Sequence, residues 1–140
     1  MVTVASPFAA GEDAADPNVV KVVLNQAGQA MYFSRARIPH DRDGTGAAPP
    51  LKHVGLYAYR RDFLPRYVAL PPTPAEEAEQ LEQLRALEHG YTIGVVVREA
   101  RHQGIDTPAQ YDAFVAAMAA EAEAGATARG EAGATKGQSR

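Results

Sequence analysis

LKHVGLYAYRR, residues 51–61, decides how this chain is read. Taken as a pleated strand, it points Val54, Leu56 and Ala58 to one face and His53, Gly55, Tyr57 and Tyr59 to the other. The first set is ordinary core material. The second places an imidazole and a phenol on either side of a glycine, leaving a shallow gap between two hydrogen-bonding groups where something could approach the backbone. That gap is either a pocket floor or the wet side of a half-buried sheet, and alternation alone leaves both open.

The neighbouring segments supply a sheet and its connections. VVKVVLN (19–25) and QAMYFS (29–34) are β-prone runs joined by a hairpin-like turn around residues 26–28, so they are expected to pair antiparallel. PHDRDGTGAAPP (39–50), rich in Gly, Pro and Asp, reads as a mobile loop, and its length marks it as a candidate functional loop. A short helix is expected over residues 61–68, limited or distorted by Pro65. TPAEE then supplies a helix start, with Thr73 as N-cap, Pro74 at the first helical position and Glu76 completing a capping box. That helix is expected to run to Glu88, burying Ala78, Leu81, Leu84 and Leu87, with Gly90 closing it after His89. YTIGVVV (91–97) reads as a further strand. TPAQ opens a last helix on Thr107, Pro108 and Gln110, with Tyr111, Phe114, Val115 and Met118 on one face. MVTVASPF is β-prone from its first residue, as though the fold were entered part-way. Strands alternating with capped helices predict a layered α/β domain.

Composition narrows the function classes. At 140 residues the chain is at most one ordinary domain, short for an enzyme holding two substrates. Fourteen basic against seventeen acidic residues give a net charge of −3, with no basic stripe, so nucleic acid is not an expected partner. The absence of cysteine excludes disulfides and thiolate metal sites and accords with the cytoplasm. No apolar run approaches the roughly 18 residues of a membrane span, and no secretory leader pattern opens the chain. EAEAGATARGEAGATKGQSR (121–140) has no apolar periodicity, so a domain over residues 1–124 followed by a disordered Ala/Gly-rich tail over 125–140 is expected.

Several residues carry chemistry without declaring it. Asp106 precedes an N-cap at a strand-to-helix junction, where it is either an acid favoured by the helix dipole or a magnesium ligand. Arg35, Arg37 and Arg42 cluster in SRARIPHDR, either as forks for a carboxylate or phosphate or as a solvated loop end. Glu82 and Gln83 flank the Leu81 and Leu84 stripe at the margin of core and solvent. His53 and Tyr57 fit either a site or a half-exposed sheet; His89 and His102 read as surface residues. There is no Gly-rich phosphate loop, no HExxH and no nucleophile elbow.

Taken in order, DPNVVKVVL, AMYFSRARIP, LKHVGLYAYRRDFL, LEQLRALEHG and GIDTP resemble the second half of the 3-deoxy-manno-octulosonate cytidylyltransferase family, across roughly residues 2–118. The resemblance implies an α/β fold: the C-terminal part of a Rossmann-like nucleotidyltransferase (nucleotide-diphospho-sugar transferase) fold with a small antiparallel sheet. It implies transfer of a cytidylyl group from CTP to 3-deoxy-manno-octulosonate in lipopolysaccharide biosynthesis, giving the CMP-sugar and pyrophosphate with Mg2+, and a homodimer. By motif, Arg35 would meet the sugar carboxylate, His53 and Tyr57 would line the sugar pocket, Glu82 and Gln83 would hold hydroxyls, and Asp106 would hold magnesium. The family's Arg- and Lys-bearing phosphate loop and its second magnesium aspartate would both lie before Met1. The expectation is therefore a sugar-binding and dimerising half that is inactive alone. The alternative is a non-catalytic interaction module derived from that fold.

Overall fold

The computed structural model describes residues 1–99 and, beyond them, Pro108, Tyr111, Asp112, Phe114, Val115, Ala116, Met118 and Ala119. The chain divides into two units, Met1–Arg101 and His102–Arg140. In the second, each of those eight residues is helical, as the TPAQ start predicts. Asp106 and the expected tail lie outside the described residues.

The first unit is a five-stranded sheet with three short helices. Its elements in chain order are β1 (Val2–Pro7), β2 (Lys21–Leu24), β3 (Ala30–Ser34), β4 (Leu51–Ala58), α1 (Leu64–Val68), α2 (Pro74–Glu79), α3 (Gln83–Glu88) and β5 (Gly94–Val97). The strands lie in the order β3-β2-β4-β1-β5. β2 and β3 form the expected antiparallel pair, β4 runs antiparallel to both β2 and β1, and β1 and β5 are parallel. Pro65 sits at the start of α1, where its missing N–H costs nothing, so it opens that helix rather than distorting it.

The buried core joins one sheet face to the helices. Ala5, Val22 and Phe33 from the strands meet Leu81, Leu84 and Ala86 from the α2–α3 segment, together with Tyr67 of α1 and Ile93. His53 stands on this face, edge-on to Phe33 with centroids 5.0 Å apart. The assignment of Val54, Leu56 and Ala58 to the core is therefore corrected. Leu56 is 64% exposed, Ala58 is exposed and Val54 is only partly covered, because the helices pack on the opposite face.

The long helix expected over residues 74–88 is likewise corrected to two. Gln80 ends α2 in the left-handed region (φ 54°, ψ 49°), and α3 starts only at Gln83. Leu81 and Leu84 are buried as predicted, whereas Ala78 is exposed, the stripe having been broken by the turn. Thr73 does sit extended before Pro74, but its hydroxyl makes no capping bond; only the Glu76 half of the box forms, with the carboxylate bonded to the Thr73 backbone. Gly90 follows α3 with φ 79°, a conformation that suits glycine.

Candidate functional site

A bulge in β4 brings the expected site residues together. Thr3 pairs with Tyr57 while the next residue, Val4, pairs with Val54, so Gly55 and Leu56 have no partners on β1. Residues four apart on a regular strand stand about 13 Å apart, yet the rings of His53 and Tyr57 have centroids only 5.4 Å apart. The rings themselves close the gap expected over Gly55. A Cβ on Gly55 would meet nothing within 4 Å, so no neighbouring atom requires a glycine there.

Thr3 and His53 pin this arrangement. The buried Thr3 hydroxyl donates to the Leu56 carbonyl at 2.8 Å and lies 2.9 Å from His53 Nε2. A hydroxyl has one hydrogen, so with that hydrogen on the carbonyl the imidazole must donate from Nε2. Burial lowers the His53 pKa to about 4, which keeps the ring neutral, while the bond to Thr3 selects the tautomer.

From His53 an aromatic ladder leads into a cleft. Tyr57, Tyr59 and Tyr67 follow with centroid separations of 6.1 and 5.7 Å. These three rings form one wall of a cavity of about 300 Å³, and Gln80, Leu81, Glu82 and Gln83 form the other. Burial is the first cause of raised pKa values on all three phenols; Tyr67 is pushed up to about 12, and the Glu82 carboxylate adds to the shift in each case. At neutral pH the tyrosine wall is therefore uncharged. Arg85 pairs with Glu76 and stands 5.8 Å over the Tyr67 ring.

The turn between α2 and α3 is held from two sides. The Tyr67 hydroxyl donates to the Glu82 carbonyl at 2.8 Å. On the other side Arg35 donates from Nε to the Glu79 carbonyl at 2.7 Å, from Nη2 to the Gln80 carbonyl at 3.4 Å and from Nη1 to the Pro17 carbonyl at 3.1 Å. Glu79 answers by accepting the Arg35 backbone N–H at 2.8 Å and the Ser34 hydroxyl at 2.6 Å. The result is a cleft with one aromatic wall, one carboxylate and two side-chain amides, the mixture that orients a small polar ligand.

Of the five expected substrate-binding residues, Tyr57, Glu82 and Gln83 line this cleft. His53 stands behind Tyr57, and Arg35 behind Gln80. Tyr59, Tyr67, Gln80 and Leu81 complete the lining but were not among the expected site residues. Tyr59 was legible, since it alternates with Tyr57; Tyr67 and Gln80 were not, because one lies in a helix and the other is itself a helix break made without Gly or Pro. Among the described residues there is no group of three or more His, Cys, Asp or Glu that could hold a metal ion. None of the described helices is long and apolar enough to cross a membrane.

The mixed α/β sheet, with this cleft at the end of β4, is a nucleotidyltransferase-type fold. A solved structure of CMP:2-keto-3-deoxy-manno-octonic acid synthetase complexed with CTP superposes with a TM-score of 0.79 at 46% identity, over 86% of this chain and 49% of that one. The family described as cytidylyltransferase matches residues 1–93, and the chain belongs to it. The 3-deoxy-manno-octulosonate cytidylyltransferase of Solibacter usitatus (strain Ellin6076) is 60% identical over 93 residues, 66% of this chain and 37% of the relative. That of Syntrophobacter fumaroxidans (strain DSM 10017 / MPOB) is 50% identical over 123 residues, 87% of this chain and 49% of the relative. The resemblance read from the sequence is thus confirmed, and the chain spans half or less of the length of these relatives.

Proposed function

We propose that the chain carries the sugar-binding part of a cytidylyltransferase that transfers CMP from CTP to 3-deoxy-manno-octulosonate. In that reaction the anomeric hydroxyl gives up its proton to solvent and attacks the α-phosphorus; its O–P bond forms as the bond to the β-phosphate oxygen breaks, and pyrophosphate leaves. The main demand on the protein is to hold the sugar in line for that attack. The observation that carries the sugar side of this reading is Gln83. Gln83 is among the residues lining the cleft at 6% exposure, and its buried Nε2 has no acceptor within the described residues. A buried amide N–H without a partner costs about 1–3 kcal/mol, which a ligand oxygen would recover. Glu82 adds an acceptor for hydroxyl donors, and the phenol faces of Tyr57 and Tyr59 offer apolar surface to the carbon skeleton. On this reading the protein serves lipopolysaccharide biosynthesis in the cytoplasm, with magnesium as the expected ion.

Because the relatives are about twice as long, the 140-residue chain is expected to bind the sugar without turning over CTP. Calorimetric titration with the octulosonate is expected to show one site that Gln83→Leu abolishes. No heat from the wild-type chain, together with concentration-dependent self-association, would favour the interaction-module reading, which the exposure of Leu56 (64%), Val96 (43%) and Val2 (42%) supports. Pyrophosphate release from CTP, magnesium and sugar at the rate of a full-length relative would overturn the expectation of inactivity.

A further inference from the structure

Gln80 is the one residue other than glycine among those described that has a positive φ, and it lies in the cleft wall. A side chain in that region costs roughly 1–2 kcal/mol, so the surrounding structure has to hold it there. The hold is visible. The Nε–Nη2 edge of the Arg35 guanidinium grips the Glu79 and Gln80 carbonyls, which the end of α2 leaves without helical partners. The Glu79 carboxylate grips the Arg35 backbone and Ser34 in return, so the end of β3 and the end of α2 each fasten the other with a side chain. Lys21, fully buried, donates to the Arg35 carbonyl and fixes the strand end from beneath. Of the two edges that a carboxylate could take in bidentate fashion, Nε–Nη2 is already engaged, and Nη1 on the other edge donates to the Pro17 carbonyl.

We infer that Arg35 is a positioning residue for the sugar site, acting through the left-handed turn at Gln80 to place Glu82 and Gln83, and not through direct contact with the sugar carboxylate. This rests on the sugar-binding reading for its consequence, though the clamp itself can be measured without any ligand. Arg35 ties the turn to β3, the turn sets where α3 begins, and α3 begins with Gln83. Removing the guanidinium leaves the strained Gln80 turn held only by the Glu79 carboxylate and the Tyr67 hydroxyl, so the turn opens more readily and the cleft wall retreats from the tyrosines. Glycine at position 80 removes the strain and makes the clamp less necessary.

Two readouts on the full 140-residue chain test this. The first, amide hydrogen exchange at Leu81 and Leu84, needs no sugar; these N–H groups bond to the Glu76 and Leu81 carbonyls across the turn. Arg35→Ala is expected to speed that exchange about tenfold, equivalent to about 1.4 kcal/mol. Arg35→Lys, with one ammonium in place of a fork, should fall between it and wild type. The double variant Arg35→Ala/Gln80→Gly should recover most of the protection. The second readout is the Kd for the octulosonate and for a neutral analogue with its carboxylate reduced to an alcohol. Arg35→Ala should weaken both by a similar factor, and Gln80→Gly should restore both. Unchanged exchange in Arg35→Ala, or weakening confined to the acid without rescue by Gln80→Gly, would overturn the inference in favour of direct contact. Should Arg35→Ala fail to fold, Arg35→Lys and Arg35→Lys/Gln80→Gly carry the same comparison. If the wild-type chain binds neither sugar, the functional reading fails while the exchange data still decide the clamp.

Discussion

The two faces of β4 are made of opposite materials and have opposite fates. His53, Tyr57 and Tyr59, each with a polar group, form a ladder under the helices, while Val54, Leu56 and Ala58 look away from the core, with Leu56 64% exposed. The difference teaches that side-chain polarity did not choose the covered face. The covered face is the one shared with Phe33, Val22 and Ala5, against which Leu81, Leu84 and Tyr67 pack. Once buried there, the polar tips find partners at the margin: His53 on Thr3, Tyr67 on the Glu82 carbonyl. Amphipathic rings serve this double duty because the body of each is apolar and only its tip needs a hydrogen bond.

The comparison can be broken most forcefully on the packed side. Phe33→Ala removes a ring that is fully buried beneath His53, and its cost is expected at about 3–5 kcal/mol, read as the fall in urea midpoint. A fall below about 1 kcal/mol would mean that the aromatic face is not the core.

His53 sharpens the contrast through pH. Its folded pKa of about 4 lies below the ordinary value of 6.5. Between those values the unfolded chain binds more protons, so stability rises with pH across that window and is lost as pH falls from 6.5 towards 4. The loss saturates below pH 4 at about 3 kcal/mol. His53→Phe removes this contribution, so the difference between wild-type and variant stability should change across that window and be level above pH 7. Denaturant titrations at several pH values that gave a constant difference would rule the buried neutral imidazole out.

The smallest effect belongs to the open face. Leu56→Ser should change stability by no more than about 0.5 kcal/mol, since the side chain it removes is already in water. If the open face drives self-association, the same substitution should lower it in sedimentation velocity runs. A large loss of stability in the monomer would show that Leu56 is packed after all.

Much of the framework was legible because it is written in local signals. The β2–β3 hairpin, the strand nature of β1, β4 and β5, the Thr73–Pro74 start and the Gly90 stop all follow from neighbouring residues that restrict φ and ψ or alternate in polarity. Part of the site was legible too, since Tyr57, Glu82 and Gln83 meet in one cleft. The rest was hidden because its causes lie far along the chain. The break at Gln80 carries no Gly or Pro, and it is held by Arg35, forty-five residues away in sequence. The β4 bulge is fastened by Thr3, whose hydroxyl reaches Leu56 across fifty-three residues. Neither event leaves a mark in its own window.

Residues 51–61, read alone, determined that a strand exists here and that His53, Tyr57 and Tyr59 share a face, because pleating alternates side chains whatever surrounds them. Which face the helices would cover, that the bulge would bring His53 against Tyr57, and that Arg35 would grip the turn opposite belong to the tertiary structure. Each depends on contacts between segments whose separation in sequence says nothing about their distance in space.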